Sequence, residues 1–121
     1  MLIGGRELDP GEDVNLHRAG VLRLDPAAED SLQRLKRTIA GAPLWIHIDL
    51  DVVDPGENFA VSHPAPGGIS FARLELLIDQ LSTSNEICGL QVCGYQPAKD
   101  PQRLLPARIA AAVTPALRTV V

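Results

Sequence analysis

An α/β fold, with a small, mostly parallel sheet of about four strands flanked by helices, is what this sequence predicts. Three observations carry the prediction. Short apolar runs that read as strands alternate with longer segments whose apolar residues recur at helical spacing, the order that gives parallel strands joined by right-handed crossovers. The run Leu44 to Leu50 is nearly continuous in apolar residues, as expected of a strand covered on both faces by helices. The chain has 121 residues, 45% hydrophobic and 21% charged, which is ordinary globular usage and enough for one core in a single domain spanning residues 1–121.

The elements follow in order. Leu2-Ile3-Gly4-Gly5 is a short strand closed by the turn residues Asp9-Pro10-Gly11, and Glu12 to Ala19 form a short helix ended by Gly20. Val21 to Leu24 extend as a second strand. Asp25 is placed as an N-cap with Pro26 at the first helical position, so that Ala28, Leu32, Leu35 and Ile39 share one helix face and Gly41 stands just beyond the C-terminus. After the strand Leu44 to Leu50, residues 52–69 make a long Gly/Pro-rich loop of the kind compact domains keep only for a reason. Ser70 caps a helix with Phe71, Leu74, Leu77, Ile78 and Leu81 on its apolar face, and Ile87 to Cys93 give the fourth strand. Asp100-Pro101 are expected to start the last helix, which Pro106 and Pro115 kink or restart.

Composition removes several classes of function. A net charge of -4, a pI near 5.2 and the absence of any Lys/Arg cluster leave no electrostatic footprint for nucleic acid. No apolar stretch approaches the roughly 20 residues of a membrane span, and the first residues, with Arg6, Glu7 and Asp9, lack a signal-peptide core, so a soluble cytoplasmic protein is expected. Cys88 and Cys93 fall on opposite faces of one predicted strand, cannot pair there, and read as buried reduced thiols.

The chemistry concentrates in Trp45-Ile-His-Ile-Asp-Leu-Asp-Val-Val-Asp-Pro55. Residues i and i+2 of a strand share a face, so Asp49 and Asp51 project together from the C-terminal end, where open α/β sheets place ligands. Two such carboxylates repel, and a divalent cation between them keeps both ionised, with Mg²⁺, Ca²⁺ and Mn²⁺ the ions oxygen ligands favour. The alternative is a solvated strand end with Asp54-Pro55 starting a turn. His47 shares the face of Asp49 but sits deeper, and reads as a hydrogen-bonded core histidine rather than a ligand. His63 can overhang the site or be an exposed loop residue; His17 has no role assigned. Asp9 and Glu12 follow the first strand and would lie on the same rim, either to receive a cationic substrate group or as plain turn and helix-start residues.

Four segments in order resemble the C-terminal half of the ureohydrolase family, which includes arginase, agmatinase and formimidoylglutamase: Ile3-Gly4-Gly5-Arg6-Glu7-Leu8-Asp9-Pro10-Gly11-Glu12; His47-Ile48-Asp49-Leu50-Asp51-Val52-Val53-Asp54-Pro55; Ala65-Pro66-Gly67-Gly68-Ile69-Ser70; and Gly89-Leu90 through Pro97. The resemblance implies half of a three-layer α/β/α fold and a manganese-dependent hydrolase of guanidino C–N bonds. It implies Asp49, bridging, and Asp51 as ligands of a Mn²⁺ pair, and Asp9 and Glu12 as the positions that meet a substrate's α-amino end.

Two departures qualify the expectation. The family draws its other metal ligands, an Asp-x-His-x-x-x-Asp motif among them, from an N-terminal half that these residues do not include. Mn²⁺ is therefore expected to bind weakly or not at all, and catalysis to be incomplete in this chain alone. Where the family carries a glutamate that grips the guanidinium, the sequence has Gly94, in Gly94-Tyr95-Gln96-Pro97. A half-sheet exposes strand edges and apolar faces, so a homo-oligomer, or pairing with an N-terminal partner chain, is expected; a non-catalytic interaction module is the alternative function.

Overall fold

A computed structural model describes residues 1–119. Its strands are β1 (Leu2–Ile3), β2 (Arg23–Leu24), β3 (Leu44–Asp49) and β4 (Ile87–Cys93), and its helices are α1 (Glu12–Arg18), α2 (Ser31–Ile39), α3 (Phe71–Ser84) and α4 (Pro106–Val113). Short 3-10 segments cover Leu50–Val52, Pro97–Lys99 and Thr114–Thr119. The α/β class and the four parallel strands are as the sequence predicts. Among the described residues they do not join into one sheet: β1 pairs with β2 and β3 with β4. In the larger pair, Trp45 stands opposite Gly89 and Asp49 opposite Cys93, with an irregularity between Leu44 and Trp45.

Helices cover one face of β3, not both. Leu44, Ile46 and Ile48 turn toward the core, whereas Trp45, His47 and Asp49 are exposed on the other face, Trp45 at 70%. The core lies between the apolar face of β3 and the stripes of α2 and α3, around Leu35, Ile48, Leu74, Leu77, Ile78 and Leu81. The stripe of α3 is the one its spacing predicts, and Ser70 caps the helix, its Oγ accepting from the Arg73 N–H at 3.0 Å.

Two helix starts differ from expectation. Asp25 caps a turn rather than a helix, accepting from the Ala27 N–H at 2.9 Å, and α2 begins at Ser31. The intervening turn is held from a distance: the Arg73 guanidinium donates to the carbonyls of Pro26 and Ala28 and to Ser31 Oγ. Likewise Asp100 opens no helix. It is buried, and its carboxylate accepts from the backbone N–H groups of Leu104 and Leu105, both at 2.9 Å, ahead of an α4 in which Pro106 is the first residue.

The long loop is folded in. Val53, Asn58, Ala60 and Val61 are buried, Asn58 Nδ2 donates to the Leu50 carbonyl at 2.7 Å, and Val53 bridges Ile69 in parallel fashion. The loop thus buttresses the turn after β3. Among the described residues no helix is long and apolar enough to cross a membrane.

Candidate functional site

The end of β3 is shaped by its own aspartates. Asp49 Oδ1 accepts from the Asp51 N–H at 3.1 Å, which caps the 3-10 turn Leu50–Val52 and swings Asp51 to the rim. Asp54 holds the next turn, accepting from Gly56 N–H at 2.9 Å and Gly67 N–H at 3.3 Å while its own N–H donates to the Ile69 carbonyl. A side chain on Gly68 would drive into the Val53–Asp54 backbone, which accounts for a glycine there. Asp54 is therefore a turn-builder, and Asp49 and Asp51 are the carboxylates left facing outward.

Burial and the Asp49 charge both push the Asp51 carboxyl above its ordinary range, and the charges of Arg6 and His63 work against them. His63 is exposed in its loop, yet near enough for its charge to act on Asp51. Arg6 is the more direct neighbour. Its guanidinium reaches from the end of β1 to the carbonyls of Asp51, at 2.5 Å, and of Val52 and Ala65, both at 3.2 Å. Arg6 was readable in the first motif, but nothing local in the sequence marks it as the tie between the two strand ends.

Asp9 and Glu12 are both exposed and bond to each other's segment: Glu12 Oε2 accepts from the Asp9 N–H at 3.0 Å, a helix-start arrangement at α1. Arg6, rather than either of them, touches the Asp49–Val52 turn.

The histidine and the cysteines are not where the sequence reading put them. His47 is exposed, because it lies on the uncovered face of β3, and its ring bridges strands, Nδ1 to Gln91 Oε1 at 3.1 Å and Nε2 to Cys93 Sγ at 3.6 Å. Cys88 is exposed and Cys93 half-buried rather than core thiols. Burial, the Asp49 charge and a hydrogen bond to its carboxylate hold the Cys93 thiol above its usual range. Gly94 lies in the left-handed region at φ 89, and a Cβ there would strike the Asp49 carboxylate and come within 3.2 Å of the Leu50 nitrogen. No side chain fits at this position without displacing Asp49.

The donor set is hard and anionic, which suits a divalent cation with oxygen ligands, but it is short. Among the described residues no three His, Cys, Asp or Glu side chains stand ready to enclose a metal. Asp49 and Asp51 fit one side of such a site.

The chain is 29% identical over 103 residues to the N(omega)-hydroxy-L-arginine amidinohydrolase of Streptomyces lavendulae, covering 85% of this chain and 37% of that protein. It is 34% identical over 80 residues to Arginase 2, chloroplastic/mitochondrial, of Arabidopsis thaliana, covering 66% and 23%. Among solved structures, the arginase of Bacillus subtilis superposes with a TM-score of 0.80 at 23% identity, covering 95% of this chain and 44% of that one. The arginase of Bacillus caldovelox gives 0.74 at 25% identity, covering 96% and 41%. The chain thus spans less than half the length of these relatives. With the Arginase family model matching residues 1–118, nearly the whole sequence, the chain belongs to the arginase family.

Proposed function

We propose that this chain provides one side of a manganese-dependent centre for hydrolysis of guanidino C–N bonds, and that it is catalytically incomplete without further protein. The observation that carries the reading is the pair of outward-facing carboxylates, Asp49 and Asp51, on a turn fixed by their own hydrogen bond and by Arg6. In it, Asp49 and Asp51 would hold Mn²⁺, and the chemistry that ion would supply is an activated water for attack on an amidine carbon. Asp49 keeps the turn closed, and the raised Asp51 carboxyl is relieved by a cation beside it. Asp9 and Glu12 receive the cationic α-amino end of a substrate at the rim. The remaining ligands lie outside these 121 residues, and the protein works in the cytoplasm.

A second reading, a non-catalytic interaction module, is favoured by Gly94. Its left-handed backbone and the Asp49 carboxylate lying where a Cβ would be both oppose a guanidinium-gripping side chain there. A urea-release assay with Mn²⁺ on arginine, agmatine and other guanidino compounds tests incompleteness, and Mn²⁺ binding separates the two readings. The chain alone is expected to give no turnover, while Mn²⁺ titration followed by electron paramagnetic resonance shows weak binding that Asp49→Ala abolishes. Turnover by the single chain that disappears in Asp49→Ala would refute incompleteness; Mn²⁺ binding unaffected by that substitution would refute the metal assignment.

A further inference from the structure

We propose that His47 and Cys93 form a metal site of their own on the open face of β3 and β4. It takes a borderline-soft divalent ion, Zn²⁺ foremost, rather than the hard ion suited to Asp49 and Asp51.

Strand register builds the pair. β3 and β4 run parallel with His47 opposite Gln91 and Asp49 opposite Cys93. Residues i and i+2 of a strand share a face, so these four side chains form a square on the face of β3 that the helices leave uncovered. His47, Asp49 and Gln91 are exposed there and Cys93 is half-buried, so an ion can reach the square from solvent.

The contacts inside the square prepare two donors. His47 Nδ1 lies 3.1 Å from Gln91 Oε1, an oxygen that can only accept, so Nδ1 carries the ring proton. In the neutral ring Nε2 then holds a lone pair, and it faces Cys93 Sγ at 3.6 Å. A histidine whose far nitrogen donates to a carbonyl is fixed in tautomer and orientation, which is how imidazole ligands are commonly held for a metal.

The separation matches an ion seated between the two. With Zn–S of about 2.3 Å, Zn–N of about 2.0 Å and a tetrahedral angle, sulfur and nitrogen on adjacent corners stand about 3.5 Å apart. The 3.6 Å between Sγ and Nε2 therefore admits Zn²⁺ with little movement of either side chain. Thiolate and imidazole suit Zn²⁺, whereas Mn²⁺ is served by carboxylate, carbonyl and water oxygens. On binding, S–Zn and N–Zn bonds form, the Cys93 S–H bond breaks, and its proton passes to solvent. The Asp49 carboxylate, also hydrogen-bonded to this thiol, keeps a negative charge beside the ion. Among the described residues no third His, Cys, Asp or Glu closes the set, so water fills the remaining corners and binding is reversible. The site uses no atom of Asp51 and does not depend on Mn²⁺ binding.

Co²⁺ alone is the probe, because it adopts the geometry of Zn²⁺ and reports a thiolate ligand by charge transfer in the near ultraviolet. Titrated into the reduced 121-residue chain, it is expected to give that band at one ion per chain, and Zn²⁺ to displace it. Cys93→Ser should abolish the band, and His47→Ala should weaken Co²⁺ binding at least tenfold. Cys88→Ser, at the exposed thiol on the opposite face of β4, and Asp51→Ala should both leave it unchanged. A measurement on the unaltered chain does not depend on any variant folding: in imidazole nitrogen NMR, Zn²⁺ should shift Nε2 of His47 while His17 and His63 stay in place. No band at millimolar Co²⁺, or no shift at His47, would leave a thiol–imidazole hydrogen bond only and overturn the proposal. So would a band that vanishes in Cys88→Ser, which puts the ion on the other thiol, or in Asp51→Ala, which puts it among the carboxylates. Undiminished affinity in His47→Ala would remove the chelate.

Discussion

Burial and the neighbouring Asp49 carboxylate both act against ionised Asp51, and Arg6 and His63 offset them only in part. A carboxyl whose folded pKa is raised lowers stability at pH above that value, and the loss is relieved as pH falls through it. Asp51→Asn is therefore expected to raise the melting temperature of the metal-free chain at neutral pH while weakening Mn²⁺ binding. Paired melts with and without Mn²⁺ check this, and a variant that melts below the parent in chelator contradicts it. Asp100 behaves oppositely. Burial alone would raise it, but the N–H groups of Leu105 and Leu104 and the Tyr95 hydroxyl, at 3.1 Å, outweigh burial and hold the carboxyl below its ordinary range. A depressed carboxyl stabilises above its unfolded pKa, and that stability fades as pH falls through the folded value. Asp100→Asn should be less stable than the parent in urea at pH 7, and the difference should shrink below about pH 4; a difference that stays constant with pH would mean that shape, not charge, is what matters at this position.

Helix α3 shows how far local sequence decides an element. Ser70 and the stripe from Phe71 to Leu81 were legible because cap and spacing are local features, and both are found. The start of α2 was not legible, since Asp25-Pro26 opens a turn as readily as a helix, and the choice is made by Arg73 reaching across from α3. Asp100-Pro101 misled for the same reason: its carboxylate is committed to Leu104 and Leu105 in a buried turn. At the N-terminus of α3 a second group helps the cap. Glu57 Oε2 accepts from the Phe71 N–H at 3.0 Å and from Arg108 at 2.7 Å, and the Arg108 guanidinium lies 4.8 Å from the Phe71 ring centroid. Loop, α3 and α4 thus meet at one node, with Phe71 buried beneath Glu57 and Arg108. Ser70→Ala is expected to cost about 1 kcal/mol, and Glu57→Ala a comparable amount by orphaning the Phe71 N–H. Because both act on the same helix end, a double-mutant cycle in urea should give a total that differs from the sum, whereas strict additivity would mean that the two caps act independently.

Across the molecule, the family and the four parallel strands were readable from motifs in order, whereas the uncovered face was not. Yet its signal was present: in Leu44-Trp-Ile-His-Ile-Asp-Leu50 the residues Trp45, His47 and Asp49 alternate with aliphatics, the period of a strand buried on one side, and only Trp45 disguised it as a continuous apolar run. That face now presents Trp45, 70% exposed, with its ring against Gly89, where any Cβ would collide with it. An exposed indole on a rigid strand is a ready contact for another apolar surface. The isolated chain is accordingly expected to self-associate through this face. Light scattering should show mass rising with protein concentration from micromolar to millimolar, and Trp45→Lys should suppress the rise while altering stability by no more than about 1 kcal/mol, since the ring is solvent-exposed. A parent that stays monomeric over that range removes the association itself. If instead the mass rises equally in both proteins, association uses another surface, and Trp45 has no part in it.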